Sequence, residues 1–450
     1  MAFLEVTGIT GTGRSAFDNL GKDWYGAMWQ DHANDKVVIL GLIGKVRGKM
    51  GGRRVLNAVV SGYPQSAGFA SQEGFTLQNP TSLSAFQPEL ITRSVYIRLR
   101  WTGEVEDAAR AGDKAAFAGP RAIELRLARK QYGLNKARMA YLGPYQILGR
   151  VATGGWADAT NTATLTGRNE RTSLAADFWN FGRHYLRANM AIQWATTVTG
   201  DPVTAMATEQ ITVTSPGGTV AAPTFITSTE PTTDPVAGDR LFPWGSRRNS
   251  VAGATDANRD SHFSGYNGLS NLMLDTNIYS HVYGQTRTSF PTLSGARDTA
   301  SGVLRPFEDM QIALMVDKIA DDGIGDEPDC VVVHRSGRRE VFKVGQDRQR
   351  LPAVQTGRGF AELTFNAGDR PIPYKVDRDA PPAMAWGLRR STFGYLSNRV
   401  LASIDKGMDR FVSNEDAHEI NWGERGNFFC TAPVSNGTVE DLISDVDVAT

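Results

Sequence analysis

Residues 8–15 read GITGTGRS. A phosphate-binding loop has Gly, four residues, Gly, Lys, then Ser or Thr. Its backbone N–H groups cradle the phosphates and the lysine reaches their far end. Gly8, Gly13 and Ser15 fit, but Arg14 stands in the lysine position, and a guanidinium is a poor spatial substitute for an ammonium there. The strand before the loop would be only FLEVT, and the helix after it carries Gly21 and Gly26, which weaken it. The acidic motif needed for magnesium fits IALMVD, ending at Asp317. That run has the pattern of an amphipathic helix rather than a strand, so nucleotide hydrolysis is not expected.

Other chemistry finds no better anchor. His32, His184, His262, His281, His334 and His418 are scattered, with no i, i+4 pair of the kind that holds zinc. DDGIGDE at 321–327 lacks the alternating ligands and closing Glu of a calcium loop. No Gly-x-Ser-x-Gly elbow appears, and GEVED at 103–107 reads as a charged linker. Cys330 and Cys430 form neither a metal motif nor a disulfide framework, which points to synthesis in a reducing cytoplasm. No catalytic residue, metal or cofactor is expected, and the chain is read as not an enzyme.

Forty-eight basic residues balance 48 acidic ones, which argues against a broad basic surface for nucleic acid or membrane. No stretch reaches the ~18 apolar residues of a membrane span. Basic residues do cluster in KVRGKMGGRR (45–54) and ARKQYGLNKAR (128–138). Without interleaved stacking aromatics, these clusters suit ion pairing within the chain or between chains better than nucleic-acid readout.

The elements around these residues give an α+β pattern. Residues 1–35 read as an extended arm. KVVILGLIGKVRGKMGG (36–52) fits a strand or a helix equally. RRVLNAVVS and ITRSVYIRLRW read as two strands joined by the long glycine-rich tip GYPQSAGFASQEGFTLQNPTSLS, so 36–102 reads as an extended hairpin. The spacing predicts a long helix over 119–143, with Pro120 in its first turn and a Gly-Pro stop. Ile123, Leu127, Leu134, Ala137 and Tyr141 make one stripe, and Leu125, Ala128, Tyr132, Met139 and Leu142 the opposite one. Such a helix is sandwiched between a sheet and either another layer or another subunit. Residues 183–250 read as a β-rich insertion and 246–300 as polar and turn-rich. A second helix is expected over 303–322, with Leu304, Phe307, Met310 or Gln311, and Leu314 inward. A third is expected after Ser336 as its cap. Mostly antiparallel strands follow to the C-terminus.

Three stretches in this order carry a resemblance. They are YLRANMAIQWATTVTG with TVAAPTFITSTEPTTDPVAGDRLFPWGS, then SGYNGLSNLMLDTNIYSHVYGQTRTSFPTL, and LRPFEDMQIALMVDKIADDGIGDEPDCVVVHRSGRREV. The chain resembles the major capsid proteins of tailed bacteriophages, the Hong Kong phage-type shell fold. The resemblance implies an N-terminal arm (1–35), an extended loop (36–102), and a peripheral domain (103–300) with a spine helix and the β-rich insertion. It further implies an axial domain (301–415) and a C-terminal return to the peripheral domain (416–450).

The implied function is self-assembly into hexamers and pentamers of an icosahedral shell around packaged double-stranded DNA, bound without sequence readout. The chain would be made in the bacterial host cytoplasm and end in the virion. Implied partners are other copies, a separate scaffolding protein, a portal and a decoration protein. An encapsulin-like compartment and a soluble enzyme with an unrecognised site are the alternatives. Gly11, Arg14, Arg53, Arg54, Tyr63, Phe69, Phe75, Arg126, Arg129 and Lys136 are the candidate inter-subunit contacts. Some family members cross-link their shells through a lysine in the extended loop. The tip from Ser61 to Gln87 has no lysine, so a non-covalent shell is expected.

Overall fold

The computed structural model describes residues 37–47, 54–56, 59–62, 84–102, 120–144, 146–166, 184–195, 210–218, 223–228, 230–231, 234–245, 265–274, 281–300, 303–322, 327–348, 364–367, 370–404, 410–411 and 415–443. The chain divides into two units. One comprises residues 94–136 and 399–425 together with the N-terminal 37 residues. The other, larger unit holds 38–93, 137–398 and 426–450.

The larger unit is organised by a six-stranded mixed sheet. Its strands are β15 (Ala296–Asp298), β16 (Cys330–Val333), β17 (Thr364–Ala367), β18 (Arg370–Val376), β19 (Ala385–Leu388) and β23 (Gly437–Val439), in the order β15-β23-β19-β16-β18-β17. β15/β23 and β16/β18 pair in parallel and the rest antiparallel, so the sheet is more mixed than the sequence suggests. Residues of a strand alternate between faces. Val331, Val333, Ile372, Tyr374, Ala385 and Val439 therefore share one face. They form a single core with Ile312, Met315, Val316 and Ile319 of helix α4 (Asp309–Asp322) and Val341 of helix α5 (Arg335–Arg348). On the other face Trp386 meets Tyr141, ring centroids 6.3 Å apart. Tyr141 belongs to the last turn of helix α2 (Pro120–Leu142).

α4 lies close to the sheet because two adjacent strands carry glycine beneath it. A Cβ on Gly387 would sit 2.6 Å from Met315 Cε, and one on Gly437 would sit 2.9 Å from both Met315 Cγ and Ile319 Cδ1. The inward stripe of α4 differs from the one read in the sequence. Phe307 and Gln311 are buried, but Met310 and Leu314 face water. Residues 303–308 are not helical, so a phase counted from Leu304 is offset. Gln311 instead ties the helix start, donating from Nε2 to Pro306 O at 2.8 Å.

α5 starts two residues earlier than expected, and its cap is His334 rather than Ser336. The Ser336 N–H donates to His334 Nδ1 at 3.2 Å, and the Ser336 hydroxyl lies 2.9 Å from the same nitrogen. An imidazole nitrogen here does what a Ser or Asp oxygen usually does at a helix start.

A closed, fully antiparallel six-stranded barrel also belongs to this unit. Its strands are β7 (Gly149–Ala157), β8 (Thr162–Leu165), β9 (Met190–Ala195), β10 (Ile211–Gly218), β11 (Pro223–Thr227) and β12 (Arg240–Pro243), in the order β10-β11-β8-β7-β12-β9. Val151, Leu165, Ile192, Trp194, Val213, Phe225 and Leu241 are buried, as a small barrel's filled interior requires. It takes in β7 and β8, upstream of the insertion read in the sequence. Helix α3 (Leu269–Met273) is wholly buried, in a stretch the sequence presents as polar. A short hairpin, β13 (His281–Val282) with β14 (Gln285–Thr286), follows it.

The ambiguous apolar run is both helix and strand: α1 (Val38–Leu42), then β1 (Gly44–Arg47), which pairs in parallel with Gly394–Ser397 of β20 (Phe393–Ser403). The hairpin forms, with a different returning strand. β2 (Arg54–Leu56) pairs with β5 (Glu89–Ile91), and β3 (Val59–Gly62) with β4 (Ser84–Phe86). The alternating stretch assigned to that return forms β6 (Arg93–Thr102), which pairs with β22 (Ala417–Cys430). The reason is its amphipathicity. Val95, Ile97, Leu99 and Trp101 are more buried than Tyr96, Arg98 and Arg100, and a ten-residue strand with one apolar face needs a sheet to cover it.

In the smaller unit β6 and β21 (Arg410–Phe411) both pair with β22, and Ile404 N donates to Asn421 O at 2.8 Å. Residues 120–136 of α2 belong here, and its last six residues, 137–142, to the larger unit. Pro120 opens that helix, and Gly143 at φ 74° ends it, a left-handed conformation that glycine adopts without strain.

Candidate assembly surfaces

Several residues with chemical potential in the sequence are placed where they cannot exercise it. Asp317 is an exposed residue of α4, not the end of a buried strand, and residues 8–15 lie outside the described residues. No cluster of His, Cys, Asp and Glu among the described residues could hold a metal ion. Both cysteines are free and buried. Burial pushes the Cys330 thiol up to about 11 and the Cys430 thiol up to about 12, so neither supplies a thiolate at neutral pH.

Several perturbed ionisable groups gather in a buried cluster in the larger unit. Asp377 Oδ2 accepts from Ile39 N at 2.9 Å and from the Tyr141 hydroxyl at 3.0 Å, while Oδ1 accepts from Asp379 N at 3.0 Å. The Tyr185 hydroxyl donates to Asp379 O at 3.0 Å. Burial raises the Tyr141 and Tyr185 hydroxyls well above the usual tyrosine range. It also raises the Asp379 carboxyl and lowers the Arg138 guanidinium to about 10. Shifted groups often mark active sites. Here they tie α1, the end of α2, the turn after β18 and residues 184–187 into one joint, a structural use of buried polarity.

A second polar seam closes the sheet edge. Arg297 grips Glu440 with two bonds of 2.8 Å, and Arg305 Nη2 reaches Asp298 Oδ2 at 2.6 Å. The fork geometry matches a carboxylate.

Within the smaller unit, Glu424 is 6% exposed. It accepts from the Tyr132 hydroxyl and from Lys136 Nζ, the latter at 2.6 Å. The Arg129 guanidinium lies 4.1 Å from the Trp422 ring centroid, a cation–π contact. Arg98 donates from Nε to Glu419 Oε2 at 2.9 Å, and Arg100 pairs with Glu415.

Of the ten contact candidates read in the sequence, Arg126, Arg129 and Lys136 stand on α2. Arg126 is exposed, Arg129 and Lys136 have the intrachain partners just named, and none of the three is free of interactions within the chain. Arg54 is in β2, opposite Ile91. Gly11, Arg14, Arg53, Tyr63, Phe69 and Phe75 lie outside the described residues. The sequence reading missed exposed apolar side chains on regular elements: Tyr96, Met310, Leu314 and Val400. For α4 the signal was a surplus, since Ile312, Met315, Val316 and Ile319 already fill one helix face.

No protein-family model matches this sequence, and no curated protein is similar to it. Among solved structures, the capsid asymmetric unit of cyanophage A-1(L) is similar over 93% of this chain and 96% of that one, at a TM-score of 0.54 and 10% identity. The capsid of Myoviridae phage XM1 is similar over 96% and 99%, at 0.45 and 8%. The capsid of an empty GTA particle is similar over 94% and 95%, at 0.44 and 9%. The first likeness carries the argument: the chain is an α+β protein with a phage capsid protein's fold over nearly its whole length.

Proposed function

We propose that this chain is a structural subunit that assembles with copies of itself into a closed icosahedral shell, the capsid of a tailed-phage-like particle. The observation that carries the reading is the end-to-end match to the cyanophage A-1(L) capsid structure. Coverage of both chains above nine-tenths means that the shared fold is the whole subunit rather than one common module.

In this reading residues 1–35 are an arm, and the hairpin of β2–β5 is the extended loop, supported by a neighbour because an isolated two-stranded arm is marginal in water. α2 is the spine helix, and the sheet with α4 and α5 is the axial domain. The chain performs no catalysis. The enclosed double-stranded DNA is held through backbone charge, without sequence readout. A scaffolding protein and a portal complete the assembly. Arg54 and Arg126, with the candidates in the arm and loop tip, contact neighbouring copies.

Electron microscopy and sedimentation of the full chain, expressed alone and with its scaffolding partner, test this. Closed shells of uniform diameter are expected. A monodisperse monomer under both conditions would overturn the reading.

A further inference from the structure

α4 and α5 both carry charges that oppose their own dipoles. α4 has Asp317 and Asp321 near its C-terminus and no basic residue in its last turn. α5 opens with Arg335, Arg338 and Arg339 and has no acidic residue in its first turn. A helix favours cations at its C-terminus and anions at its N-terminus, so both ends are arranged against local stability.

The α4 charges continue an apolar stripe. Met310, Leu314, Asp317 and Asp321 follow one another at i, i+4, i+7 and i+11, on one side of the helix. Met310 is 63% and Leu314 52% exposed, and both aspartates are exposed. Arg335 and Arg338 are exposed on α5. Among the described residues no ion pair joins these arginines to those aspartates.

We infer that the α4 stripe of one copy docks against the start of α5 of the next copy, head to tail. The inference rests on the shell reading above and names one of its contacts. Charge selects this occupant. The acidic, dipole-negative end of α4 is complementary to the basic, dipole-positive start of α5, and Met310 and Leu314 supply the apolar area that a stable contact needs. Run in parallel, two identical α4 faces would oppose aspartate to aspartate, and run antiparallel they would set Asp317 and Asp321 against Leu314 and Met310, so neither self-pairing satisfies these charges as the start of α5 does. Two different, complementary faces on one subunit give a heterologous contact, the kind that closes rings. A neighbour docked in this way would set each helix end against charge of the sign its dipole favours.

The test compares the full-length wild-type chain with three variants. One carries Asp317→Arg and Asp321→Arg, the second Arg335→Glu and Arg338→Glu, and the third all four changes. Each double variant should lower the yield of sedimenting particles at least tenfold. The soluble subunit of each should melt at or above the wild-type temperature, because the new charges suit the dipoles. The fourfold variant should recover most of the yield. Wild-type particle yields from both double variants, or no recovery in the fourfold variant, would overturn the contact and leave the shell reading standing. Absence of particles from the wild-type chain would overturn the shell reading, and this contact with it.

Discussion

The backbone N–H of Ile39 donates to the carboxylate of Asp377 at 2.9 Å, across 338 residues of sequence. The same oxygen receives the Tyr141 hydroxyl, so one side chain fixes both α1 and the last turn of α2. Asp377→Ala would leave three buried donors, Ile39 N, the Tyr141 hydroxyl and Asp379 N, without this acceptor and should cost about 3 kcal/mol. Asp377→Asn keeps one acceptor oxygen and should cost less. Urea unfolding of the two variants measures the difference, and equal loss would argue against the joint.

Asp379 makes the pH dependence of this joint testable. Burial raises its folded pKa above the ordinary value of 3.8. Its contribution to stability is therefore full below that value and is lost as pH rises through the folded pKa. Asp379→Asn removes the penalty for charging. The melting temperature of the variant relative to wild type should be higher at pH 7 than at pH 4. A constant offset would show that the carboxyl titrates alike in both states.

The glycines under α4 predict unequal tolerance. At Gly437 a new Cβ meets Ile319 Cδ1 and Met315 Cγ at 2.9 Å and the Ala296 carbonyl oxygen at 3.0 Å, so backbone must shift. Gly437→Ala should cost about 1–3 kcal/mol, as overpacking does. At Gly387 the nearest atoms are the flexible end of Met315, and Gly387→Ala should cost less. Denaturant midpoints rank the two.

Thiol chemistry should be silent in the native protein. With Cys330 and Cys430 buried and their thiols raised to about 11 and about 12, a thiol reagent at pH 8 should label neither. In denaturant it should label both. Rapid labelling of one cysteine in the folded chain would contradict the described burial.

Particles of this chain should dissolve to single subunits on a denaturing gel, because the loop tip from Ser61 to Gln87 has no lysine. A ladder of covalent oligomers would refute the non-covalent shell.

Much of this was legible where the signal is local. Pro120 and Gly143 mark the ends of α2, and the run CVVV is β16, buried at every position. The phase of α4 was not legible, because Leu304 and Phe307 continue an apolar spacing that the backbone abandons before Asp309. Nor was the partner of β6, since alternation shows which side of a strand is buried but not what buries it. The Asp377 joint leaves no trace at all in local pattern. Its participants are ordinary residues until folding brings Ile39, Tyr141 and Asp377 together. The exposed Met310 and Leu314 were visible only as a surplus of apolar residues, and an arithmetic of faces would have found them.

The closed barrel sets an order of events during synthesis. Every strand it needs lies between Gly149 and Pro243, so its hydrogen bonding can be complete while the ribosome still has nearly half of the chain to translate. β1 has the opposite schedule, because its partner strand begins only at Phe393. At about 5–20 residues per second that strand waits tens of seconds. The nascent chain can thus carry a finished, edgeless β-module while β1, the earliest described strand, still waits for its partner.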